Sequence, residues 1–280
     1  MRRRSTRLVS PGVEALRLID AWPARTAVAG VVTRDGRRFA HGPHGASLRW
    51  ASVTKPVVSL AALVALEEGS VDLDEAAGPP GSTLRHLLAH ASGLPLNDGP
   101  PLAEPGRRRI YSNSGFEVAF AHVAERTGIA SEQYVVEAVL RPLGTLAALV
   151  GSPAWGMRGS LDDLLAVAAE LLAPTLVSVE TLDEATSVVF PGLVGVLPSF
   201  GRMDPNDWGL GYELRDGKSP HWTGARNSAR TFGHFGAAGT FVWVDPDAGV
   251  ACACLTDLEF GDWAKDAWPL LSDAVLEELA

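Results

Sequence analysis

Apolar residues recur at helical spacing over Glu14 to Trp22, Thr54 to Glu68, Leu84 to Ala89, Phe116 to Arg126, Leu161 to Leu172 and Trp263 to Leu279, and predict helices there. Start and stop signals support several of them. Gly69 and Gly128 follow two of these runs, and Ser160 with Asp163 three residues on reads as a capping box for a third. Pro269 is expected to kink or split the last. Strand-like runs cover Ala27 to Thr33 and Arg37 to Ala40, around the hairpin dipeptide Asp35-Gly36. Further strands are predicted over Gly209 to Leu214, Thr240 to Val244 and Val250 to Leu255, the last two joined by the turn-rich Asp245 to Gly249.

Both ends of the chain are therefore β-rich and the middle helical. The economical arrangement is an α+β fold: one antiparallel β-sheet built from both termini, flanked by N- and C-terminal helices, with a mostly helical lobe inserted. The expected division is 1–65 and 205–280 for the α/β sheet lobe and 66–204 for the helical lobe, together one domain with a cleft between the lobes.

Composition narrows the functional classes. The 280 residues carry 24 Lys and Arg against 33 Asp and Glu, a net charge of −9. That balance disfavours nucleic-acid binding, which needs a basic face; the dense basic tracts are short, Arg2 to Arg4 and Arg107 to Arg109. The longest apolar stretch, Val57 to Leu66 broken only by Ser59, is about half the length of a bilayer crossing and predicts a buried helix, with no membrane role. The N-terminal Arg2, Arg3, Arg4 and Arg7 lead into Ser10, Pro11, Gly12 and Glu14 without an apolar core, so a retained, cytoplasmic terminus is expected. The two cysteines, Cys252 and Cys254, fall on one face of a strand as small core residues, and no zinc spacing occurs.

Chemistry enters at Ser52-Val53-Thr54-Lys55-Pro56, just before the most apolar helix. Residues three apart on a helix lie one turn apart, so the Ser52 hydroxyl and the Lys55 amine can meet. A serine becomes a nucleophile when a base takes its proton, and lysine serves once its pKa is lowered. Pro56, tolerated in a first turn, places the helix start here, where the dipole and free amides favour developing negative charge. A second candidate is Tyr111-Ser112-Asn113, after a loop holding Pro95, Pro100, Pro101 and Pro105: a phenol to relay protons and an amide to meet a substrate carbonyl. The third is Gly233-His234-Phe235-Gly236-Ala237-Ala238-Gly239, whose glycines permit close approach of a ligand to backbone. The stretch Gly211 to Gly217-Lys218-Ser219 has five residues where a phosphate loop has four, and fails as one.

Together and in this order, the three motifs resemble the serine β-lactamase and penicillin-binding superfamily, in particular its class C, DD-peptidase and β-lactamase-like esterase branch. Supporting stretches are Glu68 to Asp74, Leu84 to Leu94 with its His90-Ala91-Ser92-Gly93, and Pro105-Gly106 leading to Tyr111. The family set is Ser-x-x-Lys, Ser-Asp-Asn and Lys-Thr-Gly; this chain has Tyr-Ser-Asn and His-Phe-Gly for the latter two. The resemblance implies a β-lactamase/transpeptidase-like fold and a metal- and cofactor-independent serine hydrolase in which Ser52 is acylated. Lys55 and Tyr111 then share the base and acid roles, and Asn113, His234 and Gly236 line the substrate. The backbone amides of Ser52 and Ala237 form the oxyanion hole, and His90 and Ser92 support the cleft from beneath.

The departures bear on substrate. Phe235 offers no hydroxyl, and a neutral His234 supplies no cation for a carboxylate; Arg226 and Arg230 stand as replacements, though an exposed ionic role suits them better. The expected partner is a small-molecule ester or amide, with a β-lactam or D-amino-acid peptide as the alternative. A non-catalytic ligand sensor that kept the cleft is the competing class.

Overall fold

The computed structural model describes residues 12–279. The basic N-terminal run, and with it the expectation of a retained terminus, lies outside them. A 3-10 helix over Glu14–Ala21 precedes strands β1 (Ala27–Thr33) and β2 (Arg38–His41), joined at the Asp-Gly turn. Then come β3 (Leu48–Arg49), a 3-10 turn over Ala51–Val53, and helices α1 (Thr54–Glu67), α2 (Leu84–Leu88), α3 (Asn113–Thr127) and α4 (Ser131–Val135). Strands β4 (Ala148–Leu149) and β5 (Met157–Gly159) lead to α5 (Leu161–Leu172) and α6 (Val179–Ala185). The chain closes with β6 (Gly195–Leu197), β7 (Gly201–Met203), β8 (Glu213–Leu214), β9 (Phe232–Gly236), β10 (Thr240–Asp245), β11 (Val250–Thr256) and α7 (Asp262–Leu279).

The main sheet runs β2-β1-β11-β10-β9-β8, antiparallel throughout, so strands from the two ends of the chain lie side by side with Ala29 opposite Cys254. Alternate residues of a strand face opposite ways. Val28, Val242, Ala251 and Ala253 join a core with α1, α3 and α5, while Ala29, Trp243, Cys252 and Cys254 join a second core with α7 and the N-terminal helix. Because both faces are covered, β10 and β11 are apolar at nearly every position instead of alternating. Both thiols are buried, as expected, and they are unbridged.

Several elements differ from expectation, each for a local reason. The Gly233 to Gly236 segment is itself a strand, β9, and the predicted strand over Gly209 to Leu214 shrinks to its last two residues, with Gly211 at φ 83°. Helix α3 starts earlier, at Asn113, because Ser112 Oγ caps it by accepting from the Gly115 N–H at 2.8 Å. Helix α7 runs continuously through Pro269. The two- and three-residue strands, and α4 and α6, are too short to give a periodic signal.

One charged cluster is buried beside the site. Lys218 Nζ donates to Glu213 Oε1 at 2.5 Å and to the Asp207 carbonyl at 2.6 Å, while His221 and Trp222 reach Glu213 Oε2 at 2.8 and 2.9 Å. Burial alone would raise the Glu213 carboxyl; Lys218 and His221 reverse this and hold it at about 2. The lysine of the failed phosphate-loop pattern thus anchors the backbone next to Trp208, a wall of the cleft described below.

Candidate active site

The turn that carries Ser52 is clamped on two sides. The Trp50 N–H donates to the Met157 carbonyl at 2.9 Å, and the Trp50 carbonyl accepts from Thr240 Oγ1 at 2.8 Å. Thr54 Oγ1 donates to the Ala51 carbonyl at 2.6 Å and accepts from the Met157 N–H at 2.9 Å. Within that clamp Ala51 adopts φ 47°, a left-handed conformation that costs a residue with a Cβ on the order of 1 kcal/mol or more. Ser52 consequently sits in the 3-10 turn immediately before α1 rather than in its first α-helical turn. Pro56 lies in the first turn of α1, where no helical acceptor is required.

Lys55 is fully buried, and four acceptor-bearing groups surround its amine: Ser52 Oγ at 3.3 Å, Tyr111 OH at 2.7 Å, Asn113 Oδ1 at 2.9 Å and the Ala154 carbonyl at 3.0 Å. Burial drives its pKa well below the ordinary lysine value, against the opposing pull of the Glu117 carboxylate. A neutral amine has two N–H bonds and one lone pair. In that form the Asn113 and Ala154 oxygens would use the two donors and leave the lone pair for the phenol. Tyr111 OH in turn lies 2.8 Å from Ser52 Oγ, and burial raises the phenol above its ordinary value, so it stays protonated. Serine, tyrosine and lysine thus form one hydrogen-bonded chain from two places in the sequence.

The opposite wall is β9. His234 is buried and neutral, held down to about 3 chiefly by burial; its Nδ1–H donates to the Phe235 carbonyl at 2.6 Å, leaving Nε2 as an acceptor with no protein partner. Gly236 passes so close to the Ser52 turn that a Cβ there would lie 2.7 Å from the Trp50 carbonyl and 3.0 Å from the Ala51 Cβ. Gly236→Ala is therefore expected to push β9 off the turn, costing about 1–3 kcal/mol of stability and lowering kcat/KM by at least about tenfold. Thermal melting and ester turnover on the purified variant check both. The N–H groups of Ser52 and Ala237 donate to no other protein group among the described residues.

A cleft of about 680 Å³ opens over Ser52, with Tyr111, Asn113, His234 and Ala237 in its lining and an apolar rim that includes Leu102, Val196 and Phe260. A larger recess, about 770 Å³, lies elsewhere, beside Asp183, Arg230 and Phe232, and contains none of the Ser52 cluster. Arg226 and Arg230 do not line the cleft: they are exposed and pair with Glu277 at 3.4 Å and with Asp247 at 3.3 Å. His90 packs its ring 4.6 Å from that of Tyr111 and accepts from the Ser112 N–H at 3.1 Å; Ser92 Oγ accepts from the Leu94 N–H at 3.4 Å. The sequence reading missed the Ala154 carbonyl, Trp208 and Glu117. Glu117 alone left a signal, one helical turn beyond Asn113 on the same face of α3.

No helix among the described residues is long and apolar enough to cross a membrane, and no group of three or more His, Cys, Asp or Glu is placed there to hold a metal ion. No curated protein matches the chain. A beta-lactamase from Mycobacterium bovis is 51% identical, with a TM-score of 0.93 over 95% of this chain and 99% of that one. Simvastatin synthase from Aspergillus terreus, as its LovD6 mutant, has a TM-score of 0.76 at 19% identity, over 95% of this chain and 93% of that one. EstCE1, described as a hydrolase with promiscuous acyltransferase activity, matches equally well at 19% identity, over 94% of this chain and 97% of that one, with a TM-score of 0.76. The Beta-lactamase family profile matches residues 11–275. With that span and the Mycobacterium bovis relative, the chain belongs to the Beta-lactamase family, whose members are serine hydrolases.

Proposed function

We propose that the protein is a serine hydrolase that forms an acyl-enzyme on Ser52 and cleaves esters or small amides with a modest acyl group. The observation that carries this reading is the unbroken contact from Ser52 Oγ through Tyr111 OH, at 2.8 Å, to Lys55 Nζ, at 2.7 Å. Ser52 attacks the substrate carbonyl as its proton passes to the Tyr111 oxygen and the phenol's own proton passes to the neutral Lys55. The tetrahedral oxyanion is met by the N–H groups of Ser52 and Ala237, each such donor contributing about 3 kcal/mol. The proton then returns through Tyr111 to the leaving oxygen or nitrogen, and water repeats the sequence against the acyl-enzyme. Asn113 orients the Lys55 amine and turns its Nδ2 toward Asn97 Oδ1 at 3.3 Å.

On β9 the neutral His234 supplies no cation for the carboxylate of a β-lactam, which favours an ester over a β-lactam. The Mycobacterium bovis relative, described as a beta-lactamase, favours the second reading, in which a cyclic amide is opened. The mass increment on Ser52 after incubation with p-nitrophenyl esters and with a chromogenic cephalosporin tests both. An ester-derived acyl mass with faster ester turnover is expected; faster cephalosporin turnover selects the second reading, and no adduct on Ser52 with either removes both.

A further inference from the structure

A second recess of about 390 Å³ adjoins the nucleophile turn, and Ala237 lines both it and the main cleft. Its other walls are Ala51, Val150, Trp155 and Met157, with Arg49 and Arg158 at its edge. Val150 and Trp155 are 61% and 50% exposed, large fractions for apolar side chains. The two arginines are direct cross-strand partners in the β3–β5 pair, so both guanidinium groups stand on one face of that ribbon. Like charges directly opposite one another destabilise a strand pair. Glu259 approaches Arg49 at only 3.7 Å and is itself largely exposed, and Arg158 has no ion-pair partner among the described residues. In a chain with nine more acidic than basic residues, this is a cationic pair beside the reacting serine, with the exposed Glu259 as its one ion-pair partner among the described residues and Asp257 close by in the neighbouring recess.

We propose that this recess is the acyl subsite and that Arg49 and Arg158 together bind a carboxylate at the far end of the acyl chain, so that dicarboxylic half-esters are preferred substrates. This rests on the acyl-enzyme reading given above. The side is assigned by the proton donor. The leaving oxygen must lie within reach of Tyr111, which lines the main cleft and not the recess, so the alcohol occupies the main cleft. The acyl chain then runs past Ala51 and Ala237 over Val150, Trp155 and Met157, an apolar floor for its methylenes. The two arginines, which present planar donor forks suited to a carboxylate, stand where such a chain ends.

The test compares kcat/KM for p-nitrophenyl hemiadipate with that for p-nitrophenyl hexanoate, which differ by the terminal carboxylate. The hemiadipate-to-hexanoate ratio is expected to fall by about tenfold or more in Arg49→Gln/Arg158→Gln, to recover in part with Arg49→Lys/Arg158→Lys, and to fall in the wild type as salt is raised. A ratio that stays within about twofold of the wild type overturns the proposal. So does an arginine-dependent preference for the 4-carboxyphenyl ester of hexanoic acid, whose anion lies on the leaving side. Equilibrium binding of p-nitrophenyl hemiadipate to Ser52→Ala, with and without the two arginine substitutions, separates this proposal from the hydrolase reading. Weakened binding on removal of the arginines supports the subsite even if Ser52 proves not to be acylated; unchanged binding overturns the subsite while acylation of Ser52 stands.

Discussion

Ser52→Ala is expected to lose ester turnover by at least about 10⁴-fold and to lose labelling by a fluorophosphonate probe altogether. The loss is this large because the substitution removes the only atom that forms the covalent bond, while the oxyanion donors that remain still supply a residual acceleration over water. The fold is expected to survive. Ser52 Oγ contacts only Tyr111 and Lys55 among its side-chain partners, and those two groups remain in contact with each other at 2.7 Å. A melting temperature close to the wild type, together with absent labelling, is the predicted pair of results. Labelling of the variant equal to that of the wild type would show that another residue is the nucleophile.

The second large effect concerns the lysine. Catalysis through the chain described above needs the free amine, so kcat/KM is expected to rise with pH along a limb whose midpoint lies well below the ordinary lysine value. Burial is the cause, since it disfavours the ammonium, and the Glu117 carboxylate pulls the other way. Glu117→Gln should therefore move the limb to lower pH, and a shift to higher pH would contradict the assignment of Lys55 as base. Tyr111→Phe breaks the relay between serine and amine and is expected to lower kcat by about 10²- to 10⁴-fold.

The same shift has a stability consequence with a definite sign. Lys55 binds a proton in the unfolded chain up to about pH 10.5 but loses it in the fold at a lower pH. Between those two values the unfolded state holds more protons, so stability rises with pH. In Lys55→Met that contribution to the slope should vanish, which denaturant titrations between neutral and alkaline pH measure directly. An unchanged slope would mean that the buried amine keeps its proton.

Much of the fold was legible because long, doubly buried elements impose their period on the residues. The apolar runs of β1, β10 and β11, the Ser160 and Asp163 cap of α5 and the Gly128 stop of α3 are local signals, and each corresponds to an element of the structure. The β9 strand was not legible. Two of its five positions are glycines, Gly233 where β10 passes close and Gly236 where the Ser52 turn does, and a glycine carries no side chain from which a strand preference can be read. The two- and three-residue strands that hold Arg49 and Arg158 opposite each other were hidden for a different reason: at that length pairing comes from the partner, not from the segment.

The sequence by itself determined the chemical types at the site: a hydroxyl and an amine one helical turn apart, a phenol and an amide at the start of another helix, and a glycine-bearing wall. Their order along the chain also carried the family. The tertiary structure alone decided that the Lys55 amine is pushed well below its ordinary pKa, that His234 presents a lone pair instead of a cation, and that Arg226 and Arg230 stand away from the cleft while Arg49 and Arg158 border the neighbouring recess. Those outcomes depend on burial and on contacts between residues distant in the chain, and electrostatic energies change with every surrounding atom, whereas a motif records only its own residues.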